Sequence, residues 1–310
     1  MLIYRYFPSA PLHNRVLAIG NFDGLHLGHR ASLAKLVESA KQKNLSPAVM
    51  TFEPHPREFF SPQNAPARLS SMREKLEYFA EAGVQDVFLC RFNQAFSAIS
   101  AQDFMHKILR ESLATKSILV GGDFCFCAKR QGTVQSFVQA GFDLVDFAPV
   151  EISGKRVSST LVRNALATGD LEHAQILLGR PYSISGKVVH GAKRGRQLGY
   201  PTANVLMRHE RPALTGVYAV KLDGLNGVAN LGVHPTIKDG ISDVLKLMLE
   251  VYVFDFKGNL YDKHVHVEFF HKMRDEMKFE NLDALKAQIA QDVVIAKDYF
   301  SAVIPTKVGI

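Results

Sequence analysis

Apolar residues follow two different rhythms along this 310-residue chain. In the first half, short unbroken apolar runs alternate with stretches whose apolar residues recur every three or four positions. The runs at 16–19, 46–52, 86–92, 117–120 and 142–147 read as strands buried on both faces, where no polar side needs to be shown. Between them, 31–37, 71–82 (Leu76, Phe79 and Ala80 on one face) and 103–113 (Phe104, Ile108 and Leu109 inward) are spaced for helices. Alternation of the two predicts a parallel α/β sheet. A short helix over 170–178 stops at Gly179-Arg180-Pro181, a pair of breakers that places a domain join near Tyr182. Beyond it, β-rich segments at 183–189, 216–222, 227–231, 247–254 and 264–270 are separated by turn signals, which predicts an antiparallel sheet or small barrel. A capped helix over 281–299, with Leu285, Ile289, Val293 and Ala296 on one face, closes the chain. Two domains are expected, 1–182 and 183–310.

Composition narrows this little. A hydrophobic content of 47% and a charged content of 22% are ordinary for a globular protein. The net charge of +7 suits a polyanionic ligand, nucleotide or nucleic acid alike. The basic residues, however, gather in glycine-punctuated motifs and form no sustained patch interleaved with aromatics, so nucleic acid is not expected as a partner. The first residues lack a secretory pattern, and no apolar run approaches the roughly 18 residues of a membrane span. The odd set Cys90, Cys125 and Cys127 points to a reducing compartment, and the cytoplasm is expected. A lone C-x-C reads as small half-buried thiols sooner than as a metal site.

The candidate chemistry begins at Gly20-Asn21-Phe22-Asp23-Gly24-Leu25-His26-Leu27-Gly28-His29. Glycines between a strand and a helix let backbone approach a phosphate, and the open N–H groups of the helix start favour an anion. His26 and His29, three apart, would share one face there. Such histidines are either ordinary surface or capping residues or donors to a phosphate, and the strand, glycines and helix around them favour the second.

Further motifs follow in order. Pro54-His55-Pro56, after the second strand, predicts a rigid extended loop. Gly121-Gly122-Asp123-Phe124-Cys125-Phe126-Cys127 predicts a loop shaped for a planar ligand, or else two core phenylalanines. Ser158 or Ser159 is placed to cap the next helix, with Arg163 one turn in and able to grip phosphate oxygens. In the second half, the glycines 191, 195 and 199 interleave with Lys193, Arg194 and Arg196 as a basic lid suited to polyphosphate. Thr202 and Asn204, two apart on an extended chain, point the same way and offer hard oxygens suited to Mg²⁺. Glu268 interrupts an apolar strand, and a buried carboxylate needs a reason.

Together these motifs resemble the prokaryotic bifunctional riboflavin kinase/FAD synthetase family, along nearly the whole chain. G-N-F-D-G-x-H-x-G-H resembles the nucleotidyltransferase signature, and G-R-x-L-G-[FY]-P-T-A-N is highly specific to riboflavin kinases. The resemblance implies a Rossmann-like α/β nucleotidyltransferase domain followed by an antiparallel β-barrel with a C-terminal helix. It implies that riboflavin is phosphorylated from ATP to FMN, and that FMN is adenylylated to FAD with release of pyrophosphate. Mg²⁺ is the implied cofactor of both steps, and a monomer is favoured.

By the same resemblance, His26 and His29 act on the nucleotide, with Gly20, Phe22, Asp23, Gly24, Gly28, Ser158, Ser159, Thr160 and Arg163 holding ATP. His55, Asp123, Phe124 and Phe126 would contact flavin. Gly191, Lys193, Arg196 and Gly199 would hold the second ATP, Thr202 and Asn204 the metal, and Glu268 would be the general base toward the ribityl hydroxyl. The chain departs from the family pattern at Cys125, where arginine is common, at Cys127, where glycine is usual, and at His234, which often is arginine. Those changes put the course of the 121–132 loop in question, and with it the adenylyl transfer.

Overall fold

The structure is a computed structural model that describes residues 1–310 except 11–12, 128–130, 192–194, 196–197, 208–210, 237–243 and 303–310, and except the side chains of 233–236 and 244–246. The chain divides into two compact units, one of residues 1–66 and 72–158, the other of 67–71 and 159–310.

The first unit is built on six parallel strands: β1 (Leu2–Tyr4), β2 (Arg15–Ile19), β3 (Ser46–Glu53), β4 (Asp86–Arg91), β5 (Thr115–Leu119) and, after the hairpin β6 (Cys125–Phe126) and β7 (Gly132–Thr133), β8 (Asp143–Leu144). Their order is β1-β4-β3-β2-β5-β8. β2 is wholly buried, which is why its sequence is apolar without alternation. Arg15 at its start is fully buried and donates from Nε to Asp86 of β4 at 2.8 Å and from Nη1 to the Leu113 carbonyl at 2.9 Å. Helices α1 (Leu27–Gln42), α2 (Pro56–Phe60) and α3 (Met72–Glu81) follow β2 and β3. Leu33, Leu36 and Phe79 pack on one face of the sheet with Val16, Ala18 and Val49. Phe104, Ile108, Leu109 and Phe137 pack on the other with Leu17, Ile19 and Met50.

Three expectations change here. Residues 104–112 coil as a π-helix, with Leu113 N–H reaching the Ile108 carbonyl at 3.0 Å, so that Met105 joins Phe104, Ile108 and Leu109 in the core. The strand expected over 142–147 shrinks to Asp143–Leu144 at the sheet edge, with one more bond from Val145 N–H to the Ile118 carbonyl. The 121–132 stretch contains the hairpin β6–β7 instead of an irregular loop throughout. A second small hairpin, β9 (Glu151–Ile152) and β10 (Lys155–Arg156), precedes the end of the unit.

The second unit is a closed antiparallel barrel of β11 (Tyr182–Val189), β12 (Thr202–Leu206), β13 (Gly216–Leu222), β14 (Leu225–Thr236), β15 (Val244–Val253) and β16 (His264–Arg274), in the order β11-β12-β15-β14-β13-β16. Alternate residues fill it: Ala203 and Val205, Val220 and Leu222, Leu249 and Val251, Val267 and Phe269 are all buried. The helix Leu282–Ala302 lays Val293, Ala296, Tyr299 and Phe300 against Val217, Ala219 and Val228 on the outside. Closure leaves no free sheet edge.

Candidate active sites

In the first unit, β2 lies between β3 and β4 on one side and β5 on the other, so the strand order reverses beside it. Ligands of open α/β sheets bind at the carboxyl ends of strands at such a point. The 20–29 motif, the His55 segment and the 121–127 segment all leave the carboxyl ends of β2, β3 and β5.

The 20–29 turn is tightly wound. Phe22 (φ 49°), Gly24 (φ 85°) and Leu25 (φ 44°) all sit in the left-handed region, two of them with side chains that ordinarily avoid it. Burial offsets that strain. Leu25 is fully buried, and the Phe22 ring lies edge-on to Phe79 at 5.3 Å and 5.3 Å from the His29 ring. Phe22 therefore shapes the motif from the core side. Gly20 donates to the Met50 carbonyl at 3.1 Å, and Asp23 is buried.

His26 is not on the helix, as its spacing suggested, but is the N-cap of α1, with φ −64° and ψ 170°. Its Nδ1 accepts from His29 N–H at 3.3 Å. A nitrogen that accepts carries no proton, so the ring proton of His26 is on Nε2. The two imidazoles stack, with centroids 3.7 Å apart and planes 20° from parallel. A Cβ on Gly28 would come within 3.2 Å of the His26 ring and 3.5 Å of the Val157 carbonyl. The 20–29 motif thus lies against the backbone that runs into Ser158.

Pro54-His55-Pro56 differs from the expected extended loop. Pro56 opens α2 at its first position, where a missing N–H costs nothing, and His55 caps it, accepting at Nδ1 from Arg57 N–H at 3.1 Å while Glu58 accepts from the His55 N–H. In the 121–127 segment, Phe126 is buried and stacks on Phe137 at 4.4 Å, with Phe124 stacked outside it at 5.8 Å and half-buried. Asp123 is exposed and accepts from Arg156 at 3.3 Å. Cys127 holds φ 64°, a conformation that suits glycine. Burial pushes its thiol up to about 12.

In the second unit, the helix Ser159–Thr168 has Ser159 and Thr160 in its first turn, and Ser158 is the residue that precedes it in sequence. Arg163 donates from Nε to the Ala67 carbonyl at 2.6 Å. Lys193 and Arg196 of the basic lid lie outside the described residues, but its glycines do not. A side chain on Gly191 would collide with the Asn204 amide, and one on Gly195 with the Tyr200 carbonyl, 3.2 Å from Thr202 Oγ1. Gly199, at φ 90°, turns the chain into β12. The lid's glycines therefore lean on the two residues expected to hold a cation.

Thr202 and Asn204 occupy the outer face of β12, alternating with the inward Ala203 and Val205. Directly across from Asn204 on β15 stands Glu250, and across from Glu250 on β14 stands Asn230. Glu268 is placed elsewhere. It sits half-buried on the outer face of β16, opposite Ser183 and Lys221, while Val267 and Phe269 take the inward positions. The apolar strand around Glu268 thus does not bury the carboxylate in the core. Glu250 interrupts its own apolar strand in the same way, and only strand register separates the two acids.

Comparison with known proteins agrees with this division. Residues 9–161 match the family profile described as FAD synthetase, and residues 178–300 match that described as riboflavin kinase. A bifunctional riboflavin kinase/FMN adenylyltransferase of Escherichia coli K12 is 44% identical over 306 residues, 96% of each chain. The chain belongs to the bifunctional riboflavin kinase/FMN adenylyltransferase family. It is an enzyme with both activities, and both use ATP. Family members from Haemophilus influenzae (43% identical, 94% of this chain and 96% of that one) and Pseudomonas fluorescens (46%, 91% and 92%) are similarly close. A solved structure described as a macrolide-efflux protein from Streptococcus pneumoniae superposes with a TM-score of 0.79 at 27% identity, over 96% of this chain and 99% of that one. The likeness to it is one of fold, and among the described residues no helix is long and apolar enough to cross a membrane.

Proposed function

We propose that FMN adenylylation occurs at the carboxyl edge of the parallel sheet and riboflavin phosphorylation on the outer face of the barrel, the chain being assigned as 1–182 and 183–310. In the first step to FMN, the ribityl hydroxyl attacks the γ-phosphorus of ATP, a P–O bond forms, ADP leaves, and a carboxylate receives the hydroxyl proton. Glu250 is the better placed carboxylate, and the cross-strand pairing of Asn204 with Glu250 is the observation that carries this reading. Glu268 is the alternative, on β16.

The donor set fits a hard cation. A threonine hydroxyl and an amide oxygen on one face of β12, the amide 6% exposed and pressed by Gly191, suit Mg²⁺ more than a softer metal. When bound, Mg²⁺ supplies charge neutralisation at the phosphates. Gly191, Lys193, Arg196 and Gly199 would shape the triphosphate's cover.

In the adenylyl step the FMN phosphate attacks the α-phosphorus of ATP and pyrophosphate leaves. The nucleophile is already ionised, so no protein base is required. His26 Nε2–H and His29 serve by stabilising charge on the phosphate, with Gly20, Asp23, Gly24, Gly28, Ser158, Ser159, Thr160 and Arg163 as nucleotide contacts. His55, Asp123, Phe124 and Phe126 are proposed to form the flavin side, with Phe22 as scaffold. We assign the enzyme to the cytoplasm as a monomer without nucleic-acid or membrane partners, which sedimentation and fractionation check.

Incubation with riboflavin, ATP and Mg²⁺, with flavins separated over time, tests the whole scheme. FMN rising before FAD is the expected result, and absence of either product from folded protein would overturn the corresponding site.

A further inference from the structure

One buried polar atom beside the kinase site is left without a role by that scheme. Asn230 Oδ1 is shielded from solvent and accepts no hydrogen bond from any described residue. An acceptor in that state is costly, and native proteins rarely retain one without a partner from outside the chain. Its neighbours explain why none comes from within. Across β14 it faces Val217 on β13, which is apolar, and Glu250 on β15, which when ionised only accepts. Along β14, Val228 on the same face is packed under the C-terminal helix. At Gly232, the next position on that face, a side chain would collide with the Glu276 carboxylate, a second group that only accepts. The side chains paired with Asn230 across the strands, and the carboxylate at Gly232, are thus apolar or acceptors.

Directly opposed side chains on neighbouring strands have Cβ atoms about 4.5–5.5 Å apart, so Asn230 and Glu250 can reach one small group between them. We propose that Asn230 is a substrate-binding residue whose Oδ1 accepts a hydrogen bond from a hydroxyl of the riboflavin ribityl chain. It selects flavins that carry a hydroxylated side chain. The proposal rests on the placement of the kinase site at Asn204 and Glu250. A hydroxyl next to the one that reacts would meet Asn230 while the reacting hydroxyl meets Glu250.

The test compares riboflavin with lumiflavin, whose ring system lacks the hydroxylated chain. Dissociation constants are measured by flavin fluorescence quenching for the full-length enzyme and for Asn230→Leu, Asn230→Ala and Asn230→Ser. Riboflavin binding is expected to weaken about tenfold or more in the Leu and Ala variants. Lumiflavin binding should stay within about twofold, and Ser, which keeps an acceptor, should recover part of the loss. Equal weakening of both flavins, or no weakening of either, would overturn the proposal. So would a higher Mg²⁺ requirement with riboflavin affinity unchanged, since an amide oxygen can also bind a cation. Should Leu fail to fold, the Ala and Ser pair carries the comparison. Glu250→Gln is run alongside: full kinase activity in that variant would remove the site placement itself, whatever the Asn230 variants show.

Discussion

Asn204 and Glu250 are direct cross-strand partners on the outside of a closed barrel, on the strands β12 and β15. That adjacency puts the proposed cation ligand and the proposed proton acceptor within one side chain's reach of each other, as phosphoryl transfer to an alcohol requires. Glu250→Gln is therefore expected to lower FMN formation by about 10²–10⁴-fold, the usual worth of a general base, whereas Glu268→Gln should leave it within a few-fold. Initial rates of FMN formation at saturating ATP decide between them, and the reverse pattern would return the role to β16.

Two separable duties are proposed for His26. Its Nδ1 caps α1, and its Nε2–H is the proposed donor to the phosphate. Loss of a cap costs about 1 kcal/mol, and loss of a charge-stabilising donor about 10²–10³ in rate. His26→Ala should show both effects, while His26→Asn, whose amide oxygen can cap, should recover the melting temperature and not the rate. FAD formation from supplied FMN is the rate to follow, and FMN formation should be spared in both variants.

Much of this was legible in the sequence, for identifiable reasons. Buried strands such as β2 announce themselves by an unbroken apolar run, 16–19, even though Arg15 at its start is buried against Asp86, and the turn spacing of the β-rich second half announces an antiparallel sheet or small barrel. Thr202 and Asn204 share a face as their spacing of two requires. What the sequence hides is anything set by partners far along the chain. Glu250 and Glu268 each interrupt an apolar strand, and the pairing of residue 204 with residue 250 is information that neither segment contains. His55 illustrates a local failure. Two prolines suggested an extended loop, but a proline at the first position of a helix removes only an N–H that has no partner in any case.

Cys127 stands where the backbone asks for glycine. Its φ of 64° costs a residue with a Cβ about 1–2 kcal/mol. Cys127→Gly should thus raise stability, partly offset by the greater freedom of glycine in the unfolded chain, for a net gain of no more than about 1 kcal/mol. A rise in thermal midpoint with unaltered FMN formation is the expected outcome. A fall would mean that packing of the thiol outweighs the strain.

Alkaline pH should loosen the first unit through Cys90. Burial pushes this thiol from 9.0 up to about 12. The folded state therefore holds its proton more tightly than the unfolded state does. The sign follows: the contribution is fully present below pH 9 and is lost as pH rises toward 12. Between pH 9 and 11 the thermal midpoint should fall, and Cys90→Ala should flatten that slope although it lowers stability at neutral pH by opening a small cavity. An unchanged slope would assign the alkaline loss to other groups, among them Tyr218, whose hydroxyl is also pushed up by burial.

A largely buried ion pair fastens the C-terminal helix to the barrel. Arg274, at the end of β16, donates from Nε to Asp292 Oδ1 at 3.0 Å and from Nη2 to Oδ2 at 2.7 Å, and Gln288 adds a bond to Oδ1 at 3.0 Å. Asp292 is 2% exposed, so its loss leaves a guanidinium facing a protein interior with no counter-charge. Breaking such a pair from one side costs about 3–5 kcal/mol, while replacing both members with apolar residues of similar volume is often neutral. Asp292→Ala should accordingly speed amide exchange along the helix Leu282–Ala302, and the double variant Arg274→Met/Asp292→Leu should restore most of the protection. Since that helix covers Val228, two residues from Asn230 on β14, undocking it should also weaken riboflavin binding. If exchange accelerates while riboflavin affinity holds, the helix supports the barrel's stability without shaping its flavin site.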